Sequence, residues 1–273
     1  MPDLKKLGQY FTLFISLVLF FSSCEAWRFN RLTKSSDYDK KYVKAGEYFK
    51  KENYVKALQL YEELIPIFKG TDKAEEIYYY YTYCNFYQGD YALSQYHFKN
   101  YTRQFPSGNH VEECWFMNAY CYYLNSPYYT LDQTDTKNAI KEFQSFVDNF
   151  NESTRIDSCN KLVDKLRQKL ENKDYDLFKQ YYKLSDYKAA ITSCKNFAKD
   201  FPDSKYVEES YYVLIDSYYL LAINSIPSKK EERLNGAIEN YLKFVDLYPQ
   251  SKFLSKAESI YTSSKQAKAS LIK

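Results

Sequence analysis

Five stretches of the chain repeat one pattern of apolar positions. In the first stretch, Tyr54 is followed at offsets 3, 4, 7, 10 and 14 by Ala57, Leu58, Tyr61, Leu64 and Phe68. These offsets place the side chains on one face of an α-helix. The same pattern begins again at Tyr91, Thr136, Tyr187 and Leu234. The periodicity therefore predicts five amphipathic helices of similar construction.

Two further features recur in these helices. The residue at offset 3 is always small, which allows a neighbouring helix to approach closely; the five are Ala57, Ser94, Ala139, Ala190 and Ala237. Three of the helices run into an aromatic residue followed by proline, which ends a helix because proline disfavours helical geometry in the residue before it. These pairs are Phe105-Pro106, Phe201-Pro202 and Tyr248-Pro249, and Phe150-Asn151 takes the same place in a fourth helix.

Each of the five helices is preceded by another apolar, aromatic-rich segment, and three of the connections are tight turns ending at Tyr54, Tyr91 and Tyr187. Helix hairpins are the expected unit. The small residue, the turn and the terminal aromatic-proline pair resemble the tetratricopeptide repeat, whose period is 34 residues. The terminal aromatics here are spaced by 37, 45, 51 and 47 residues, so insertions are expected. We predict an all-α fold, an α-solenoid of about five hairpins.

The spacing places two insertions and one long helix. Residues 125–134 are expected to form a loop within the third hairpin, and residues 223–232 a loop within the fifth. Residues 154–182 carry helical periodicity throughout, which predicts one long or kinked helix. We predict an N-terminal module of three hairpins at 37–150 and a C-terminal module of two hairpins at 151–273, with the boundary near Asn151.

The N-terminus has the layout of a secretory signal peptide. Lys5 and Lys6 precede an uncharged apolar run at 11–21, which is about half as long as a membrane-spanning helix. The run ends in Phe21-Ser22-Ser23-Cys24, which resembles the lipobox of bacterial lipoproteins. That resemblance implies a signal peptide at 1–23, an acylated Cys24 and a lipidated tether at 24–36.

Composition and charge argue against catalysis, metal binding and nucleic-acid binding. The 38 basic and 35 acidic residues are nearly balanced, so no basic block is available for a phosphate backbone. His97 and His110 are the only histidines, which removes most metal sites and acid-base schemes. Asp132, Asp135 and Glu142 are interpreted as helix-terminal and solvated charges. We expect a binding protein without a cofactor, a metal or an enzymatic activity.

Five cysteines besides Cys24 are widely spaced and form no metal-binding motif. Four of them fall in segments predicted to be helical, where cysteine usually serves as a small buried apolar residue. The sequence does not decide whether a disulfide such as Cys84–Cys114 forms, because it does not give the separation of the two Cα atoms. The five are Cys84, Cys114, Cys121, Cys159 and Cys194.

The chain contains 32 tyrosines, including a run between Tyr78 and Tyr83 that points in nearly every direction around a helix. Two interpretations are open. Tyrosine can replace phenylalanine in helix packing, with its hydroxyl at the wet edge. Alternatively, tyrosines of the first helices line a groove for an extended, aromatic-rich peptide. The candidate groove residues are Tyr80, Tyr83, Tyr87, Tyr120 and Tyr123.

The acylated cysteine, the tether and the five hairpins together resemble the family of the outer-membrane protein assembly factor BamD. The segments 126–134, 186–190, 201–204, 208–210 and 218–220 carry this resemblance. It implies an outer-membrane lipoprotein on the periplasmic face that binds unfolded β-barrel proteins through its N-terminal repeats and the barrel subunit BamA through its C-terminal repeats.

Two alternative functions remain. A SusD-like glycan-binding lipoprotein is also helical and aromatic-rich, but such proteins are longer, and only Trp27 and Trp115 could stack on sugars here. A general periplasmic scaffold of tetratricopeptide type is the other alternative.

Overall fold

A computed structural model describes residues 26–271, and every regular element among them is a helix. The signal peptide and Cys24 lie outside the described residues. The helices are α1 (26–33), α2 (Tyr38–Lys50), α3 (Tyr54–Ile67), α4 (Ala74–Tyr87), α5 (Tyr91–Gln104), α6 (Val111–Asn125), α7 (Thr134–Asn149), α8 (Ile156–Lys183), α9 (Tyr187–Asp200), α10 (Val207–Ile223), α11 (Pro227–Leu247) and α12 (Leu254–Ser270). The predicted all-α class is confirmed.

Five hairpins follow one another: α2–α3, α4–α5, α6–α7, α8–α9 and α10–α11. In three of them the second helix begins at a capping side chain, because Asn53, Asp90 and Asp186 each accept a hydrogen bond from the backbone N–H three residues later. The residue before each cap has a positive φ: Glu52, Gly89 and Ser185. The same turn therefore closes all three hairpins, as the repeated sequence pattern predicts.

The small residues of the repeated pattern are all completely buried. Their exposed fraction is 0% in each case, which matches their predicted role of allowing close helix approach; they are Ala57, Ser94, Ala139, Ala190 and Ala237. The helix ends are also confirmed. Phe105, Phe201 and Tyr248 each leave helical geometry, with ψ near 60°, directly before a proline.

Internal contacts divide the described chain into two units. Unit 1 comprises residues 26–125 and 141–153, and unit 2 comprises residues 126–140 and 154–271. Helix α7 contributes its first turns to unit 2 and the rest to unit 1. The module boundary near Asn151 stays a prediction.

The loop at 125–134 and the long helix are confirmed, and the second insertion is wrong. Helix α6 ends at Asn125 and α7 begins at Thr134, while α8 runs uninterrupted over 28 residues. Residues 223–232, however, are mostly helical, because α11 already begins at Pro227. Proline at the first helical position and the following Lys and Glu residues all favour a helix there. Only residues 224–226 connect α10 to α11.

The predicted tether contains a docked helix. Residues 26–33 are helical, and Phe29 is only 8% exposed, with its ring 5.5 Å from that of Tyr48 in an edge-to-face contact. The sequence did not reveal this helix, because the segment is short and mixes polar and apolar residues. Its burial depends on the surface that α2 and α3 offer to Phe29 and Leu32.

The five cysteines of the described chain are buried and unpaired, and all five lie in helices. The disulfide Cys84–Cys114 is not formed. Burial raises the pKa of Cys84 and Cys121 to about 12, which keeps these thiols protonated. They act as small apolar core residues.

Candidate functional site

The first helices of three hairpins, α4, α6 and α10, each carry two adjacent glutamates in their first turn, and tyrosine hydroxyls donate hydrogen bonds to them. These acidic pairs are Glu75-Glu76, Glu112-Glu113 and Glu208-Glu209. The second member of each pair accepts a hydrogen bond from a tyrosine of the preceding hairpin in the same unit. Tyr42 donates to Glu76 at 2.5 Å and Tyr79 donates to Glu113 at 3.1 Å in unit 1. Tyr175 donates to Glu209 at 3.1 Å in unit 2. Each donor and acceptor are 34 residues apart.

The first member of each pair binds within its own hairpin instead. Glu112 accepts a 2.5 Å hydrogen bond from Ser153, and Glu208 accepts one of 2.7 Å from Ser251; both serines follow the second helix of the hairpin. Glu75 accepts 2.7 Å and 2.5 Å bonds from the Asn109 backbone N–H and from the Tyr101 hydroxyl. The first glutamate therefore closes its own hairpin, and the second ties that hairpin to the previous one.

These contacts favour the structural interpretation for many of the tyrosines. Burial, and next the hydrogen bond to Glu76, raise the pKa of Tyr42 to about 12. Burial also raises the pKa of Tyr79 and Tyr83, with Glu113 as the further cause. These phenols therefore stay neutral and donate a hydrogen bond to a carboxylate. Sequence reasoning missed this role, although the Glu-Glu pairs and their tyrosines 34 residues upstream are visible in the sequence.

The five predicted groove residues differ in exposure. Tyr87 is 49% exposed and stacks on Tyr54 with ring centroids 4.6 Å apart. Tyr80 is half-buried, packing against Phe49 at 4.7 Å. Tyr83 is only 7% exposed, and its hydroxyl donates a 2.6 Å hydrogen bond to Glu113. Its ring centroid lies 5.7 Å from that of Tyr87, so the buried Tyr83 packs against the exposed Tyr87.

Tyr120 and Tyr123 continue the aromatic side chains onto α6. Their rings are nearly parallel to each other, with centroids 5.7 Å apart, and both are half-buried. Tyr120 approaches Phe86 at 6.5 Å, and Phe86 contacts Tyr87 at 5.5 Å. The ring contacts are therefore continuous from Tyr54 on α3 to Tyr123 on α6. We call this set the aromatic surface: Tyr54, Tyr80, Phe86, Tyr87, Tyr120 and Tyr123.

A cleft of about 540 Å³ adjoins the aromatic surface between α2, α3 and α4. Tyr54 and Tyr80 line it together with the charged residues Glu47, Lys50 and Glu52. An apolar wall with a few polar groups at its rim is a common form of ligand site. The volume of the cleft lies within the usual range of ligand clefts, about 300–1,000 Å³.

Unit 2 has a different, charged surface. Two clefts of about 470 and 540 Å³ share Arg167, Asp200 and Phe201. Asp174 lines the first cleft, and burial raises the pKa of its carboxyl. The loop at 126–133 lies against α8, where Lys169 donates to the Pro127 carbonyl at 3.0 Å and Tyr129 donates to Asp176 at 2.7 Å.

The three acidic residues singled out in the sequence have separate structural roles. Asp132 accepts a hydrogen bond from the Thr134 backbone N–H at 2.9 Å, and Asp135 lies in the first turn of α7. The expectation that Glu142 is a solvated charge is wrong. Its carboxylate accepts hydrogen bonds from Lys99 at 2.6 Å and from the buried Asn118 at 2.7 Å. A charge at this helical position packs against α5 and α6, which the sequence could not show.

Reactive groups do not converge in the described chain. Between residues 26 and 271, no group of three His, Cys, Asp or Glu side chains is placed to hold a metal ion. His97 lies between the hydroxyls of Tyr78 and Tyr81, at 3.0 and 3.3 Å from its two ring nitrogens. Over the same residues, the search for a helix long and apolar enough to span a membrane finds none.

Repeated hairpins with these turns define a helical scaffold of tetratricopeptide type. The family model described as "YfiO: Outer membrane lipoprotein" matches residues 35–234 and 168–270. The chain belongs to this family, which is the BamD family that the sequence resembles.

No curated protein matches the chain. Among solved structures, the chain is similar to one titled "TPR2AB-domain:pHSP90-complex of yeast Sti1", with 13% identity and a TM-score of 0.40. The match covers 86% of this chain and 92% of the other.

Proposed function

We propose that this protein is a lipid-anchored, non-enzymatic scaffold of β-barrel assembly on the periplasmic face of the outer membrane. Membership of an outer membrane lipoprotein family supports the location. The order of small residues before Cys24 supports acylation of that cysteine. Several acyl chains on one residue give a durable anchor, since each buried methylene contributes about 0.8 kcal/mol.

The aromatic surface of unit 1 binds the extended, aromatic-ended segments of unfolded outer-membrane β-barrel proteins. The observation that carries this proposal is the stacking of the exposed Tyr87 on the half-buried Tyr54, which lines an open cleft. Tyrosine rings offer a large contact area with little loss of side-chain entropy. Stacking on Tyr54 also holds the Tyr87 ring in place before a ligand arrives.

Unit 2 binds the periplasmic domains of a BamA-type barrel subunit. The first of its charged clefts offers both signs of charge, because it is lined by Arg167 and Lys173 as well as by Asp174 and Asp200. Such complementary charge contributes more to specificity and association rate than to affinity. A folded partner domain with mixed surface charge fits this face better than an apolar peptide does.

Peptide binding tests the role of the aromatic surface. We expect a fluorescent peptide that ends in an aromatic β-strand sequence to bind about tenfold more weakly to Tyr87→Ala, because an interface aromatic commonly contributes at least that much. Tyr96→Ala is the matched control, since Tyr96 is a 56% exposed ring of α5 outside the aromatic surface. Equal loss in both variants, or none in Tyr87→Ala, would contradict the proposal.

Purification of the detergent-solubilised protein tests the partner. Co-purification of a large barrel protein with repeated periplasmic domains supports a role in barrel assembly. A TonB-dependent transporter in its place would indicate a SusD-like, nutrient-binding role. If neither of these proteins co-purifies, the remaining alternative is a general periplasmic scaffold.

A further inference from the structure

Helix α1 has two faces of opposite character. Phe29 and Leu32 face the core of the first hairpin, whereas Trp27 is 61% exposed and Arg28 and Arg31 are exposed beside it. At 3.6 residues per turn, Trp27 and Arg31 share one side of the helix, opposite to Phe29.

The exposed face is basic as well as aromatic. Residues 26–36 contain three basic residues and no acidic one. The guanidinium of Arg31 lies 5.7 Å from the centre of the Trp27 ring, a cation–π distance. Lys34, just beyond the helix, is also exposed. Tryptophan beside arginine and lysine is the composition of a segment that lies at a membrane interface.

The inner face of α1 is firmly attached to the first hairpin. Lys41 of α2 is only 2% exposed; it donates a 2.8 Å hydrogen bond to the carbonyl of Thr33 and forms an ion pair with Glu63 of α3. Together with the burial of Phe29, this contact joins the end of α1 to α2 and α3. The direction of the outer face is therefore fixed relative to the first hairpin.

We propose that the outer face of α1 docks on the surface of the bilayer, with the Trp27 ring among the headgroups and Arg28, Arg31 and Lys34 on the phosphates of anionic phospholipids. The inference rests on the proposed acylation of Cys24. Trp27 is three residues from that cysteine, and three Cα–Cα steps span at most about 11 Å. An anchor at Cys24 thus keeps the indole within reach of the headgroup region.

Docking has a consequence for the scaffold. A lipid anchor alone holds the protein at the membrane but leaves its orientation free. Because α1 is fixed to the first hairpin by Phe29 and Lys41, contact of its outer face with the bilayer also orients unit 1 against the membrane. An anionic surface attracts basic residues within about 10 Å, so the orientation depends on salt.

Tryptophan fluorescence of the acylated, full-length protein in vesicles tests the inference. The vesicles contain phosphatidylcholine and phosphatidylglycerol in a two-to-one ratio, with brominated phosphatidylcholine as the quencher. The signal of Trp27 is the difference between the unaltered protein and Trp27→Phe, which leaves Trp115 as the only indole. We expect the Trp27 emission to shift to the blue and to be quenched by the brominated lipid.

The charges are tested with two matched variants. Arg28→Gln/Arg31→Gln/Lys34→Gln should reduce the quenching in anionic vesicles, since each cation near such a surface contributes about fivefold in association. The control variant, Lys188→Gln/Lys199→Gln/Lys256→Gln, removes the same charge from exposed positions of unit 2 and should leave the quenching unchanged. Equal effects of the two variants would overturn the role of the three cations.

Two outcomes separate this inference from the proposed function. If mass spectrometry finds acyl chains on Cys24 but Trp27 stays accessible to aqueous iodide in vesicles, the docking of α1 is overturned and the anchor stands. A blue shift that needs a protein partner rather than lipid overturns it equally. If Cys24 carries no acyl chains, the lipid anchor and the docking both fail.

Discussion

The hydroxyl of Tyr42 donates a 2.5 Å hydrogen bond to the carboxylate of Glu76, which lies 34 residues further along the chain. The same separation recurs between Tyr79 and Glu113 and between Tyr175 and Glu209. One tetratricopeptide period therefore survives in the first helices, although the ends of the second helices are spaced unevenly. The lengthened loop and helices change the spacing without changing this contact.

Removal of the carboxylate at Glu113 should destabilise unit 1. Glu113 accepts hydrogen bonds from both Tyr79 and Tyr83, and Glu113→Ala leaves these hydroxyls without their acceptor. We expect the free energy of unfolding to fall by about 2 kcal/mol, the usual cost of unsatisfied buried polar groups. Urea denaturation measures this change. Glu239→Ala, at an exposed position of α11, should change stability by less than 0.5 kcal/mol, roughly the effect of most surface substitutions.

Exchanging serine and glycine at two equivalent hairpin turns should change the stability of the protein in opposite directions. Ser185 has φ of 61° and Gly89 has φ of 82°, and each precedes the aspartate that caps the next helix. Glycine adopts this conformation without strain, whereas other residues lose about 1 kcal/mol or more. Ser185→Gly should therefore stabilise the protein, and Gly89→Ser should destabilise it. Thermal unfolding of both variants checks the prediction, and shifts of the same sign would contradict it.

Two glycines inside helices should respond differently to alanine. A Cβ atom at Gly236 would lie 2.5 Å from the ring of Tyr218, whereas one at Gly46 would meet only the Tyr61 hydroxyl at 3.9 Å. We expect Gly236→Ala to destabilise the protein by about 1–3 kcal/mol through overpacking. Gly46→Ala should stabilise it by about 0.5–1 kcal/mol because alanine favours the helix. Chemical denaturation of both variants measures the difference.

His97 should make stability depend on pH. Burial against Tyr78 and Tyr81 lowers the pKa of its imidazole, while the Asp90 charge raises it by a smaller amount. The native state therefore favours neutral His97. The contribution of the neutral imidazole to the free energy of unfolding is fully present above about pH 6.5, the ordinary histidine pKa. It is lost as the pH falls through the lowered pKa, since the unfolded chain then binds more protons.

Urea denaturation at several pH values between 7.5 and 5 tests the histidine. We expect the free energy of unfolding to fall on acidification and to fall less steeply in both His97→Gln and His97→Phe. The phenylalanine variant fills the space of the imidazole without a proton. Equal pH dependence in the unaltered protein and in both variants would show that His97 is not desolvated in the native state.

The regular helices were predictable because the contacts that define them are local. Periodicity marked the buried face of each second helix, and the turns at Asn53, Asp90 and Asp186 marked where those helices begin. The start of α11 at Pro227 was less clear, because polar Lys and Glu residues carry no periodic signal even where they favour a helix. Proline at its first position was the signal available.

The candidate site was only partly predictable. The sequence indicated which tyrosines lie on first helices, but not which of them are exposed. Tyr83 and Tyr87 are four residues apart on one helix, yet one is 7% and the other 49% exposed. The difference arises from neighbours in α5 and α6, with Phe98 and Glu113 enclosing Tyr83.

Thus the sequence by itself determined the helical class, the hairpin repeat and the family, because these depend on short-range spacing and on local helix and turn preferences. Only the tertiary structure decided the partners of the acidic pairs, the docking of Phe29 and the exposure of each tyrosine. Those features depend on side chains from different helices, such as Tyr42 and Glu76 or Phe29 and Tyr48, which meet only when the helices pack.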